Sequence, residues 1–108
     1  MDSWDIASID VEPRKPKVLR TDKEARVIAI QLPAGEQLQE HQTHERGYLV
    51  VITGAIELSG LGGDATSGGP GFLAVFDPNE RREVTAKEDA RLALILGPWP
   101  GDGHPSRH

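Results

Sequence analysis

A chain of 108 residues is the size of one domain with a single modest core. Its formal net charge of -5 repels phosphate backbones, and the basic clusters Arg14-Lys15-Pro16-Lys17 and Arg81-Arg82 are too short to form a nucleic-acid track. Cysteine is absent, which excludes disulfides, thiolate metal sites and a cysteine nucleophile, and no apolar run approaches bilayer length. The acidic start Met1-Asp2-Ser3-Trp4-Asp5 has neither the basic nor the apolar part of a secretion signal. The expectation is a cytoplasmic protein with no nucleic-acid and no membrane partner.

Residues 1–16 read as an N-terminal arm. Trp4, Ile6, Ile9 and Val11 are costly to leave in water, so the arm is expected to dock as a short helical turn or an edge strand. Residues 17–100 read as β structure. Val18-Leu19 is a short extended piece. Ala25 to Leu32 alternates, with Val27 and Ala29 on one side and Ile28, Ile30 and Leu32 on the other. Pro33-Ala34-Gly35 turns the chain. Glu36 to Gln42 is a polar strand facing solvent or a wet cavity. Tyr48 to Ile52, dense in β-branched residues, reads as a central strand.

Thr53-Gly54 is expected to make a tight turn, pairing this strand with Ala55 to Ser59 as a hairpin. Gly60 to Gly71 reads as a flexible loop. It lacks the lysine and following helix of a phosphate-binding loop. Phe72 to Phe76 reads as a buried strand. Asp77-Pro78-Asn79-Glu80 is a turn with Asn79 able to take the left-handed conformation. Arg82 to Ala86 and Ala90 to Leu96 are strands, the second apolar on most of both faces. Residues 101–108 form a polar tail. No segment carries the helical period. Glycine (12) and proline (8) are frequent without being periodic. Many short strands joined by tight turns imply an all-β antiparallel sandwich or barrel, with the jelly roll as the common closure.

Two of the four histidines, His41 and His44, precede the Tyr48 strand. Imidazole is a common metal ligand, and the bland alternative is a pair of solvated loop residues. The glycines around them carry a family resemblance. Gly35, His41 and Gly54 fall in register with the first cupin motif, a glycine followed by His-x-His, a glutamate and a closing glycine. Gly71 opens the second motif, and Asp77-Pro78-Asn79 sits where that motif has its proline and second glycine. Over roughly Ala25 to Leu96 the chain resembles a small single-domain, conserved-barrel cupin, an RmlC-like jelly-roll barrel. The resemblance implies a homodimer, often built by N-terminal strands crossing to the partner sheet, a role that Trp4, Ile6 and Ile9 suit.

The resemblance also implies a metal held by two histidines, a glutamate and a third histidine, and here the chain departs from it. Thr43 stands in the second histidine slot. Gly47, or Tyr48 by the longer spacing, stands in the glutamate slot. Arg82 replaces the histidine of the second motif and Ala86 its asparagine. A permanent cation at Arg82 would repel a divalent ion.

Three readings follow. The first is a cupin with a degenerate metal site and no cofactor, binding a small polar or acidic molecule through His41, Thr43, Tyr48 and Arg82. The second is a metal-dependent dioxygenase or isomerase, with Fe, Mn, Ni or Zn held by His41, His44 and Glu45 through a β-bulge. The third is a structural dimeric barrel without ligand. Arg82 itself has two placements open to it. It points into the barrel as a carboxylate clamp, or it stands on the surface beside Arg81 and pairs with Glu80 or Glu83. Tyr48 lines the barrel or packs on strand neighbours. Trp99 seals a barrel end or a subunit contact, and His104 folds over the mouth or lies in the tail.

Overall fold

The computed structural model describes residues 1–38, 45–60 and 63–97. His41, Thr43, His44, Trp99, His104 and the tail at 101–108 lie outside the described residues. The described strands are β1 (Lys17–Thr21), β2 (Arg26–Leu32), β3 (Gln37–Leu38), β4 (Arg46–Thr53), β5 (Ile56–Gly60), β6 (Ala65–Gly68), β7 (Leu73–Phe76), β8 (Arg82–Ala86) and β9 (Ala90–Gly97). All pairings between them are antiparallel. Five strands form one sheet in the order β1-β2-β9-β4-β7, and four form a second in the order β3-β8-β5-β6. Among the described residues no helix is long and apolar enough to cross a membrane.

The core lies between the two sheets. Strand alternation sends Ile28, Ile30 and Leu32 of β2, Leu49 and Val51 of β4, and Leu92, Leu94 and Leu96 of β9 inward from the larger sheet. Ile56 and Leu58 of β5 and Val84 and Ala86 of β8 meet them from the smaller one. Full burial of each large aliphatic side chain contributes about 1.5–3 kcal/mol. The alternation read from Ala25–Leu32 and Ala90–Leu96 survives in three dimensions, because β2 and β9 pair along their whole length, from Arg26 opposite Leu96 to Leu32 opposite Ala90.

Three expectations change. β4 and β5 do not form a hairpin: β4 pairs with β7 and β9, whereas β5 pairs with β6 and β8. Gly54 therefore turns a corner between sheets. Its φ is 80°, and a Cβ built there would sit 2.1 Å from the Asp89 carbonyl oxygen, so only glycine fits. The glycine-rich stretch is not wholly loop, since Ala65–Gly68 forms β6 and pairs with β5 from Ser59–Ala65 to Ile56–Gly68. Backbone hydrogen bonds form this strand without apolar side chains, which hides it from a hydrophobic pattern. Lastly, the Phe72–Phe76 segment is buried on one face only. Phe76 points into the core, while Leu73 and Val75 of β7 are exposed.

The arm docks on its own chain. A turn at Ile6–Ser8 is closed by the Ser8 and Ile9 amides donating to the Asp5 carbonyl. Arg91 Nη1 donates to the Ile6 carbonyl at 2.9 Å and to the Ile9 carbonyl at 2.6 Å. Val11 is buried, Pro13 forms a parallel bridge to Gln31, and Arg14 pairs with Glu36.

Candidate functional site

The site is built from β8 and the turn before it. In β8 the inward positions are Arg82, Val84 and Ala86. Of the two placements open to Arg82 in the sequence, the structure shows the inward one. Only 7% of the residue is exposed, the backbone pairs with Gly60 of β5, and the guanidinium carbon lies 4.5 Å from the centroid of the Phe76 ring. A guanidinium over an aromatic face is attracted by the ring quadrupole, worth about 0.5–2 kcal/mol depending on desolvation. Burial pushes the Arg82 guanidinium below its usual value, and the negative charge of Glu80 opposes that shift.

The turn at Asp77–Glu80 aims this strand. Asn79 takes the left-handed conformation at φ 66°, where the second motif has its glycine. The Glu80 amide donates to the Asp77 carbonyl at 3.1 Å, and the Asp77 amide donates to Glu80 Oε1 at 2.9 Å. Arg46 at the start of β4 pairs with Asp77 and ties the turn to the larger sheet. Beside it opens a cleft of about 600 Å³, lined by Arg82, Phe76, Asn79, Asp64, Thr66 and Leu58 among others. The cleft combines a forked cation, an aromatic face, a hydroxyl, an amide and a carboxylate at its rim. Such a set can hold a small carboxylate and hydrogen-bond its other polar groups.

The larger sheet supplies Gly47 to the same region. Gly47 pairs with Phe76 on β7 and Leu96 on β9 and faces the core. A Cβ there would meet Phe76 Cδ2 at 3.4 Å and Leu96 Cδ2 at 3.6 Å. The Phe76 ring, over which the Arg82 guanidinium lies, is thus what a side chain at Gly47, the nearer of the two positions for the glutamate slot, would meet. Sequence reasoning placed Phe76 in a strand and gave it no part in a site. The available signal was the glycine in a slot where the family carries a long side chain.

The described residues in these two slots do not fit a divalent ion. Gly47 offers no donor atom, and Arg82 offers a permanent cation. Among the described residues no three His, Cys, Asp or Glu side chains are grouped to hold a metal. Glu45 is partly buried just before β4, and its partners in the proposed ligand set, His41 and His44, lie outside the described residues, as does Thr43. The structure does not bring Tyr48 to Arg82. Tyr48 follows the inward Gly47, so alternation sends it to the outer face of the sheet, between Ile95 and Val75.

No family model matches the sequence. A protein of Pseudomonas aeruginosa named "Putative quercetin 2,3-dioxygenase" is 35% identical over 91 residues, which span 83% of this chain and 36% of that protein. The chain thus spans about a third of the length of this curated relative. Among solved structures, an RmlC-like cupin protein from Desulfovibrio desulfuricans superposes with a TM-score of 0.80 at 17% identity, covering 91% of this chain and 97% of the other. An RmlC-like cupin family protein with a double-stranded β-helix fold from Methanocaldococcus jannaschii gives a TM-score of 0.76 at 18% identity over 93% of this chain and 89% of the other. KdgF from Halomonas sp. gives 0.70 at 22% identity over 87% and 89%. Two antiparallel sheets enclosing one core, with these neighbours, make the chain a cupin by fold, an RmlC-like jelly roll.

Proposed function

We propose that this cupin binds a small carboxylate in the cleft beside β8, with Arg82 as the clamp. The observation that carries the reading is the inward, stacked guanidinium in the slot where the second motif has a histidine. Its fork matches a carboxylate, and Phe76 holds its plane, so little rotamer entropy remains to be lost on binding. His41 and Thr43 complete the proposed ligand set, while Tyr48, on the outer face, is left out of it. The test is calorimetric titration of wild type and Arg82→Met with succinate, malate and citrate. Saturable binding to wild type, weakened at least tenfold in Arg82→Met, supports the reading. Equal affinity in both proteins, or no binding to either, contradicts it.

A second reading, a metal-dependent enzyme, is favoured by the 35% identity to a protein named as a dioxygenase. It requires His41, His44 and Glu45 to converge. Stoichiometric metal in the purified protein distinguishes it from the first reading.

A further inference from the structure

One row of the smaller sheet carries opposite charges at its two ends. Arg82 of β8 lies opposite Gly60 of β5. The β5–β6 pairing runs to Ser59 opposite Ala65, and the Gly60 amide donates to the Asp64 carbonyl at 3.2 Å, so one step further sets Gly60 beside Asp64. The next inward row is Val84, Leu58 and Thr66. Side-chain direction repeats every two residues, so Arg82, Gly60 and Asp64 share that inward face. Arg82 and Asp64 accordingly both line the cleft of about 600 Å³. Gly60 between them has no side chain, and a Cβ built there would meet nothing within 4 Å, so the space between the two charges is open. Two strand spacings separate the Arg82 and Asp64 backbones, roughly 10 Å in all.

We propose, building on Arg82 as the carboxylate clamp, that the cleft takes an amino acid, with its carboxylate on the Arg82 guanidinium and its ammonium on the Asp64 carboxylate. Three observations select a ligand of both charges. The charged groups lining the cleft are Arg81, Arg82, Asp64 and Glu80, which sum to zero, so a ligand that is itself neutral overall matches them. The two carboxylates are held differently. Glu80 Oε1 accepts the Asp77 amide at 2.9 Å and belongs to the turn, whereas among the described residues the Asp64 carboxylate enters no ion pair. A carboxylate facing the open cleft gains a charge-assisted hydrogen bond from an ammonium and repels a second carboxylate, so it favours an amino acid over a dicarboxylate by attraction and by repulsion together. Lastly, the chain bears a net charge of -5, which disfavours the approach of a dianion more than that of a neutral zwitterion. Leu58 and Phe76 supply apolar contact for the carbons between the two charged groups.

Calorimetric titration of wild type, Asp64→Asn and Asp64→Lys with 2-aminobutyrate, 4-aminobutyrate, butyrate and succinate tests this. Asp64 is exposed, so both variants keep the core intact, which thermal melting verifies. In wild type, one of the two aminobutyrates is expected to bind at least tenfold more tightly than butyrate and than succinate. The two positions of the amino group then report the distance between the charged ends of the site. Asp64→Asn brings that aminobutyrate down to the level of butyrate, and Asp64→Lys makes succinate the preferred ligand. Butyrate or succinate binding wild type as tightly as both aminobutyrates overturns the inference and leaves Arg82 standing as a simple carboxylate clamp. An aminobutyrate preference that survives in Asp64→Asn overturns the role of Asp64 in the same way. No binding by any of the four overturns the clamp itself and the amino-acid site with it.

Discussion

Gly47 is one of the two positions, with Tyr48, that the family resemblance gives for a glutamate, and its substitutions report directly on how Phe76 packs against β4. Its backbone is ordinary strand, so the residue has no need of a left-handed conformation. A Cβ would make contacts of 3.4, 3.6 and 3.8 Å to Phe76, Leu96 and Leu94, the first at the tight end of van der Waals contact and the other two ordinary. Gly47→Ala therefore gains in two ways. It removes the excess chain entropy of an unfolded glycine, about 0.5–1 kcal/mol, and it buries a methyl group worth about 0.8 kcal/mol. A shift of a few tenths of an ångström at Phe76 subtracts part of this. The net expectation is a stabilisation of about 1 kcal/mol, or a rise in Tm of roughly 4–8 °C for a domain of this size. Gly47→Glu adds atoms that must displace Phe76, and it buries a carboxylate. Overpacking and desolvation together cost about 3 kcal/mol or more. Urea unfolding and calorimetric melting of both variants provide the assay. A destabilised Gly47→Ala, or a Gly47→Glu as stable as wild type, would refute the packing of Phe76 against this strand.

Gly54→Ala is expected to be among the most damaging single-methyl additions in the chain. The positive φ and a backbone oxygen at 2.1 Å leave the Cβ no room, giving a loss of about 2–4 kcal/mol measurable by urea unfolding. For Arg82 the pH dependence follows from the direction of its shift. Burial lowers the folded value below the unfolded one, so the folded state holds this proton less tightly. The resulting penalty is present wherever the guanidinium is charged and is relieved only as pH rises into the alkaline range where arginine titrates. The stability difference between wild type and Arg82→Met should accordingly be constant from about pH 6 to about pH 9. A slope in that difference across the interval would contradict the assignment of a fully charged Arg82.

Much of the fold was legible because the long strands alternate cleanly. β2 and β9 announce their inner faces through Ile28, Ile30 and Leu32 and through Leu92, Leu94 and Leu96. Asn79 was legible as a left-handed turn residue from its type and its place after Pro78. Strand pairing was less accessible. Thr53-Gly54 looks like a hairpin turn locally, and only the burial of both flanking strands against one core makes it a corner between sheets. β6 was hidden because Ala65-Thr66-Ser67-Gly68 has no apolar face to betray it. In the candidate site, the family register pointed to Arg82 and to Gly47 or Tyr48, and it was silent on what lies between them. That depends on Phe76 reaching across from β7, a contact between residues far apart in sequence. Tyr48 shows the opposite limit: a shift of one residue in the register moves a side chain from the barrel interior to the outer face.

We propose that the Arg82 guanidinium beside the Phe76 ring, and not a metal centre, sets the chemistry of the cleft beside β8. Elemental analysis tests it most directly, using wild type and His41→Ala purified without chelator and then soaked with iron, manganese, nickel and zinc. The expected result is a metal content well below one per chain in both proteins. About one metal per chain in wild type, lost in His41→Ala, would contradict it and would assign the site to His41, His44 and Glu45.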